Sequence, residues 1–547
     1  MKKGIVLVLV LLLSFSLFAA GQQEAGASEG TGLAVSAPGV FPIVEETYEL
    51  DIFTPMDVNV SDYDDNALTQ YMEDLTNVHV NWQFVPVKEL KQKMNLILAS
   101  NVDMPDVFLG ANQKSAMTNS TMARYGAEGI FVPLNNFIDT HGVEFKAAME
   151  ANPMVVTMIT APDGNIYSLP KISDGINTKT SVKLWLNTTF LDAVGMDSPD
   201  TTEEFYQVLK AFKEQDPNGN GIADEIPLIG ATNGWNQQPD GFIMNSFVFY
   251  NRNNPYAIEN GSVVAPFITE EWKNGLRYMN KLIEEGLLDP TSFTQDRNQL
   301  KQLVEEETMK VGGVTSGGFH VFTNVNNDRK MNYAIVAPLE GPTEIKRAWY
   351  NPYWSISTGA FVITNACENP EVAYKWADHF YSLETTLRGR FGVPGVDYID
   401  PELGDVGSLG QPAVIKPILR WGSVQNSHWQ FRQPGFLPKV YAAGQAVDPN
   451  DPYPMQAILD QGSTDLYEPY ADASVFLPPL QFTTDEAEIV ADIGSTIMTY
   501  VRESLARFAV GELDIDKDWD KYIAEFKVMD LDQLLDIYQT VYERQWK

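Results

Sequence analysis

The stretch Asp216 to Pro227, DPNGNGIADEIP, concentrates oxygen donors at a spacing that suits a hard cation. An EF-hand loop takes ligands from positions 1, 3, 5, 7 and 9, places Gly at 6 for a sharp turn and closes with a bidentate Glu at 12. Asp216, Asn218, Asn220, the Ile222 carbonyl and Asp224 fill the early positions, with Gly221 at the turn. Pro227 offers no carboxylate at the twelfth; Glu225 is the nearest substitute, and IPLIG beyond it reads as a strand, not a second helix. The spacing predicts a single structural Ca2+ loop. The competing reading is a metal-free Asn-Gly turn, since both residues accept left-handed backbone.

Catalytic constellations do not assemble. The five histidines, His79, His141, His320, His379 and His428, are scattered, with no pair one helical turn apart as a zinc motif on a helix requires. GGVTSGGFH lacks the Lys of a phosphate loop and the Gly-x-Ser-x-Gly order of a nucleophile elbow, so it reads as a strand-end turn. Carboxylates are too abundant for a glycosidase pair to be picked out by counting.

A ligand site can use exposed aromatic faces against apolar surfaces, with polar groups fixing orientation. Loop aromatics are the candidates: Trp235 in TNGWNQQPDG, Tyr353 and Trp354 in YNPYWS, and Trp421 and Trp429 in RWGSVQNSHWQFRQPG. Each has packing between lobes as its alternative role. Trp272, Trp376 and Trp519 fall in helical patterns and read as core. Arg420 and Arg432 flank the last pair, where they could meet an acidic ligand or only carry surface charge.

A chain of 547 residues is too long for one core and implies two or more lobes. Its 38 Lys and Arg against 73 Asp and Glu, a formal charge of -35, argue against nucleic acid or anionic lipid as partner. The opening MKKGIVLVLVLLLSFSLFAAGQ has the layout of a signal peptide, residues 1–20, cleaved between Ala19 and Ala27. Residues 21–45 read as a flexible tether. No later run reaches the roughly 18 to 20 apolar residues of a membrane span. The mature protein is therefore expected to be exported, periplasmic or extracellular. Cys367 is the single cysteine, so no disulfide framework and no lipid-anchor cysteine is expected.

Short β-rich runs alternate with amphipathic helices from YELDIF onward, the pattern of an α/β sheet. Thr201 with Glu204, and Thr483 with Glu486, have the spacing of capping boxes ahead of apolar periodicity. Gly286 marks a helix C-terminus. The last stretch is strongly helical.

In this order, MNLILASNVDMPDVF, GNIYSLP, LWLNTTFLDAVGMDSPDTTEEFYQVLKAFKEQDPNGNGIADEIPL, YMNKLIEEGLLDP, ENPEVAYKWADHFYS and FAVGELDIDKDWDKYIAEF resemble the extracellular solute-binding proteins of carbohydrate-uptake ABC transporters. The resemblance is to the large oligosaccharide-binding branch that includes the alginate-binding proteins. It implies an α/β, two-lobed periplasmic-binding-protein fold of type II-like build with interlobe crossings and a helical C-terminal extension. It also implies an oligosaccharide ligand, hinge closure, delivery to a membrane permease and a monomer. The resemblance further implies that the calcium site of Asp216, Asn218, Asn220, Ile222, Asp224 and Glu225 is closed by the adjacent Asp224 and Glu225.

The expected layout puts 46–169 in the first lobe, 170–350 in the second with the calcium loop at 216–225, 351–395 back in the first and 396–547 in the second. Crossings are expected near Pro170, Tyr350 and Gly395. A non-catalytic oligosaccharide-binding component is the leading reading. An exported hydrolase or lyase is the alternative, and a purely structural exported protein the third class.

Overall fold

Two β-sheets organise the chain, described by a computed structural model over residues 33–113 and 116–547. The expected signal peptide and the start of the tether lie outside the described residues. Strands β1 (Tyr48–Met56), β2 (Val78–Pro86), β3 (Val107–Leu109), β4 (Leu169–Ser173), β5 (Leu184–Asn187), β6 (Gly313–Thr315), β7 (Tyr333–Val336), β8 (Ile356–Ile363) and β9 (Gly435–Leu437) form the two sheets. The first has the order β9-β4-β8-β3-β1-β2 and the second β6-β5-β7. In the first, β1 runs parallel to β2 and β3, with Ile52 opposite Trp82 and Val107. β8 is antiparallel to both β3 and β4. In the second, Trp185 at the centre of β5 faces Val314 on one side and Ile335 on the other, antiparallel to both.

Each sheet is covered by helices whose apolar faces follow the sequence pattern. Leu90, Met94 and Leu98 on the helix Leu90–Ser100 are buried with Phe53, Val85 and Phe108 of the first sheet. Phe205, Val208, Leu209 and Phe212 on Thr202–Glu214 join the second lobe's core with Leu184 and Leu186. Both expected capping boxes form: the Thr201 and Thr483 hydroxyls accept from the Glu204 and Glu486 N–H, and each Glu reaches back to its N-cap. Gly286 has φ 65 at the end of the helix Glu270–Glu284. Trp272 and Trp376 are fully buried and Trp519 nearly so, as their helical patterns require. The long helix Thr484–Ala509 packs with Glu270–Glu284 and the closing helix Leu531–Trp546, so the C-terminal stretch extends the second lobe.

Three expectations need correcting. The segment 21–45 is not a free tether throughout: Val35 and Val44 form an antiparallel bridge, Ile43 and Val44 are buried, and Lys375 Nζ donates to the Ser36 carbonyl at 2.7 Å. Burial of two apolar side chains ties this segment to the fold. The block 396–547 does not belong wholly to the second lobe: β9 pairs parallel with β4, Phe436 opposite Ile172, on the edge of the first sheet. The chain therefore passes between lobes at 174–183, 337–355 and 448–454; Ala442 still packs with Leu437 and Gln445 still bridges Ile415, so the third passage lies well beyond Gly395. IPLIG is extended but forms isolated bridges, Ile226 to Val311, Leu228 to Leu288 and Ile229 to Val314, because successive residues pair with different segments and no continuous ladder develops.

Candidate functional site

Between the two sheets lies a cavity of about 730 Å3, within the range of roughly 300–1,000 Å3 typical of ligand pockets. The first lobe supplies Asp57, just past β1, Lys171 on β4, Ser357 on β8, and the loop residues Trp421, Gln430 and Arg432. From the second come Trp235, His320 and Leu459; Trp354 stands in the passage between β7 and β8.

Three of the five expected aromatics meet in this cavity. Trp354 and Trp421 are about half exposed, at 45% and 46%. Trp235 is held from behind. Its carbonyl accepts from Gly317 N–H at 2.8 Å, and a Cβ on Gly317 would stand 2.3 Å from the indole, so GGVTSGGFH needs glycine there for the ring to seat. His320 of the same stretch packs against that ring at 5.9 Å.

Trp429 and Tyr353 are elsewhere. Trp429 is 1% exposed, wedged among Trp82, Trp376 and Phe380, and donates Nε1–H to Thr69 Oγ1 at 2.9 Å, so it has no free face for a sugar. Tyr353 packs on Phe476 and Trp546 and lines a neighbouring cavity of about 740 Å3, which shares Trp354 and Ser357 with the first.

The cavity's charges were only partly anticipated. Arg432 lines it and pairs with Asp57 at 2.5 Å, while Arg420 is exposed outside it. Lys171 and Arg390 were missed. Lys171 is the one charge in the apolar run IYSLPKIS, which was its only signal; Arg390 ends an ordinary amphipathic helix, Leu383–Phe391, and had none. Burial, and after it the charges of Arg432 and Arg390, push Lys171 down to about 8. Burial alone lowers Arg390 to about 10. The Arg390 guanidinium lies 3.8 Å from the Trp421 ring centroid, a cation–π contact that fixes both.

Behind Trp421 the loop is tightly constrained. The His428 ring is parallel to Trp421 within 4° at 6.0 Å, and its Nδ1 accepts from the Gln430 N–H at 3.0 Å, which sets the neutral tautomer. Burial, then the Arg390 charge, lowers His428 to about 4. Gln430 and Phe431 both have φ 53, a left-handed conformation costing non-glycine residues on the order of 1 kcal/mol or more each. Strain of this kind at a cavity wall is held by the surrounding packing.

The Asp216–Pro227 loop lies apart from this cavity, at the end of the helix Thr202–Glu214. Asp216 Oδ1 and Oδ2 accept from the Asn220 and Gly221 N–H, Asn218 Oδ1 from Asn220, and Asn220 Oδ1 from Ile222. Asp216, Gly219 and Gly221 take positive φ, so the loop coils with its side-chain oxygens inward. Each amide oxygen keeps a second lone pair for a cation. Both Glu225 carboxylate oxygens are buried without a well-aligned hydrogen bond, and burial, with Asp216 and Asp224, raises that carboxyl above its ordinary range against the nearby backbone N–H groups of Glu225 and Asn218. A cation would satisfy that group. Asp224 instead accepts from both Asn side-chain amides and faces Lys310 at 3.5 Å. Among the described residues no three His, Cys, Asp or Glu side chains converge as a metal cluster. Asp216, Asp224, Glu225, the Asn218 and Asn220 amide oxygens and the Ile222 carbonyl are of the donor chemistry a hard cation takes, but the three acids do not converge on one point here.

Comparison with known proteins places this architecture. Residues 58–386 match the family model of the bacterial extracellular solute-binding proteins. The fructooligosaccharide ABC transporter substrate-binding protein FusA of Streptococcus pneumoniae is 25% identical over 515 residues, covering 92% of this chain and 91% of that protein. A structure of an EF-hand mutant of the S. pneumoniae protein with fructo-nystose superposes with a TM-score of 0.75 at 23% identity, over 91% of this chain and 99% of that one. A solute-binding protein from Bifidobacterium longum infantis, described as HMO-binding, gives 0.74 at 20% identity over the same shares. Both structures share the two-lobed fold seen here.

Proposed function

The chain belongs to the bacterial extracellular solute-binding protein family, and on that premise we propose that it captures an oligosaccharide between its lobes and delivers it to the permease of an ABC transporter. The observation that carries this reading is the meeting of Trp235, Trp354 and Trp421, from different segments of the chain, in one cavity of about 730 Å3. Indole faces suit the C–H surfaces of sugar rings, and Asp57, Ser357, Gln430 and Arg432 offer polar groups for hydroxyls. The fructooligosaccharide-binding relative supports the ligand class.

The binding reading is favoured over hydrolysis by the cavity's chemistry. A glycosidase of the usual kind flanks the scissile bond with two carboxyl groups. Asp57 is the one carboxylate among the described lining residues, and Arg432 already holds it. The protein acts as an exported monomer. Ca2+ sits structurally in the loop of Asp216, Asn218, Asn220, Ile222, Asp224 and Glu225, a reading that the EF-hand of the S. pneumoniae neighbour supports. Its role there is to neutralise clustered acids and tie the helix Thr202–Glu214 to the extended segment at Ile226.

The test is a thermal-shift panel of fructo-, galacto-, manno- and uronate oligosaccharides, followed by calorimetry and by product analysis after prolonged incubation. A binder raises the melting temperature as RT ln(1 + [L]/Kd) and is recovered uncleaved. Cleaved sugar, or no shift with any member, overturns the proposal.

A further inference from the structure

The chain carries a formal charge of -35, yet the interlobe cavity is lined by Lys171, Arg390 and Arg432 against a single carboxylate, Asp57. Asp57 is used by Arg432, and its Oδ1 also accepts from the Asn59 N–H at 2.9 Å. Among the described residues neither Lys171 nor Arg390 has a carboxylate within ion-pairing distance. Lys171 Nζ reaches the Phe431 carbonyl, at 3.3 Å, and lies 5.4 Å from the centroid of the same residue's ring, while the Arg390 guanidinium contacts the Trp421 and Phe391 rings. Two further donors on the same wall, Arg432 Nε and Gln430 Nε2, are buried and unpartnered.

A partly buried cation without a counter-charge is unfavourable in the empty protein, and two side by side are worse. With surface acids so abundant, a neutralising Asp or Glu would be an easy substitution if the charges served only to hold the walls. A neutral sugar would leave the excess charge uncompensated, whereas an anionic group would meet the planar fork of Arg390 and the ammonium of Lys171 through charge-assisted hydrogen bonds. The lowering of Lys171 to about 8 agrees with an uncompensated positive wall.

We propose that the cavity selects oligosaccharides bearing an anionic substituent, a carboxylate or a sulfate ester, received by Arg390 and Lys171 beside the Trp421 face. This rests on the oligosaccharide-binding reading and names the chemical class within it.

Calorimetry separates the possibilities with four probes: trigalacturonate, its fully methyl-esterified form, a sulfated galactan disaccharide and neutral kestose. The expected result is that trigalacturonate or the sulfated disaccharide binds at least roughly tenfold more tightly than the methyl ester and kestose. Whichever of the two binds more tightly identifies the source of the anion. Arg390→Met should collapse the acid-to-ester affinity ratio toward one and flatten the dependence on salt. Lys171→Met should reduce the same ratio and carries the test if Arg390→Met fails to fold. Equal affinity for acid and ester, or preference for kestose, overturns the anionic selectivity while leaving oligosaccharide binding intact. No binding of any of the four overturns both.

Discussion

The guanidinium carbon of Arg390 lies 3.8 Å from the centroid of the Trp421 ring, joining the end of the helix Leu383–Phe391 to a loop some thirty residues later. This contact makes Trp421 a fixed platform although nearly half of the side chain is exposed. The parallel His428 ring and the left-handed pair Gln430 and Phe431 continue the same constraint into the cavity wall. A preorganised aromatic surface loses little freedom when a sugar stacks on it.

Trp421→Ala and Trp354→Ala are expected to weaken oligosaccharide binding roughly 30-fold or more, as for centrally placed aromatic anchors, with little change in melting temperature. Trp429→Ala should behave in the opposite way. Its fully buried ring makes the expected loss about 3–5 kcal/mol of stability, and any change in affinity should follow from that. Calorimetry and denaturant melts of the three variants check the division. A Trp429→Ala protein as stable as wild type would contradict the burial described here.

Stability should fall between neutral pH and about pH 4 because of His428. It is 2% exposed and its folded pKa is lowered from 6.5 to about 4, chiefly by burial and then by Arg390, with Asp397 and Asp57 opposing. Above 6.5 the ring is neutral in both states and its contribution is fully present. As pH drops below 6.5 the unfolded chain takes up the proton and the folded one does not, so stability is lost until about 4. The group's full effect is on the order of 3 kcal/mol. Urea melts across this window should show the slope, and His428→Gln should reduce it.

Much of the architecture was legible because it is local. Capping boxes at Thr201 and Thr483 and the apolar stripe of Phe205 to Phe212 are written within one or two helical turns, and the structure reproduces them. The cavity is assembled from distant segments, and there local signals fail. Trp429 and Trp421 occupy one loop with similar neighbours in sequence; only the approach of Trp82 and Trp376 decides that one is core and the other is wall. β9 was misplaced for the same reason, since three residues at the edge of a sheet carry no periodicity and are held by β4 more than 260 residues earlier.

Ligand should shrink the molecule in solution. Three chain passages, at 174–183, 337–355 and 448–454, link the lobes, and the cavity draws residues from both. Segments of this kind absorb backbone rotation while the lobes move as rigid bodies. Small-angle scattering at saturating ligand is expected to give a smaller radius of gyration than the ligand-free protein. Identical profiles at saturating ligand would overturn hinge closure.

Binding of an acidic oligosaccharide should weaken above about pH 8. Lys171 loses its charge near that value in the free protein, and a bound anion favours the charged form. Affinity is therefore full at lower pH and declines as the pH rises through this value, with proton uptake on binding above it. Calorimetry in buffers of different ionisation enthalpy measures that uptake directly, and Lys171→Met should abolish it. An affinity flat from pH 7 to about 10 would remove Lys171 from the ligand's surroundings.

Chelation should destabilise the protein through the Asp216–Pro227 loop. Without a cation the buried Glu225 carboxyl keeps no well-aligned hydrogen bond, and Asp216 and Asp224 act on it by like-charge repulsion. The loop also joins the helix Thr202–Glu214 to Ile226, whose N–H and C=O pair with Lys310 and Gly312 at 2.9 Å, so loosening it frees one wall of the second lobe. Adding chelator is expected to lower the melting temperature by several degrees, and calcium to restore it. Asp216→Ala should reproduce the loss and remove the response to calcium. Glu225→Gln separates the contributions: it relieves the repulsion without metal, so the chelated variant should melt above chelated wild type while binding calcium more weakly. If chelator-treated protein shows neither heat nor a melting shift on titration with millimolar calcium, the loop is an Asn-Gly turn that folds without metal.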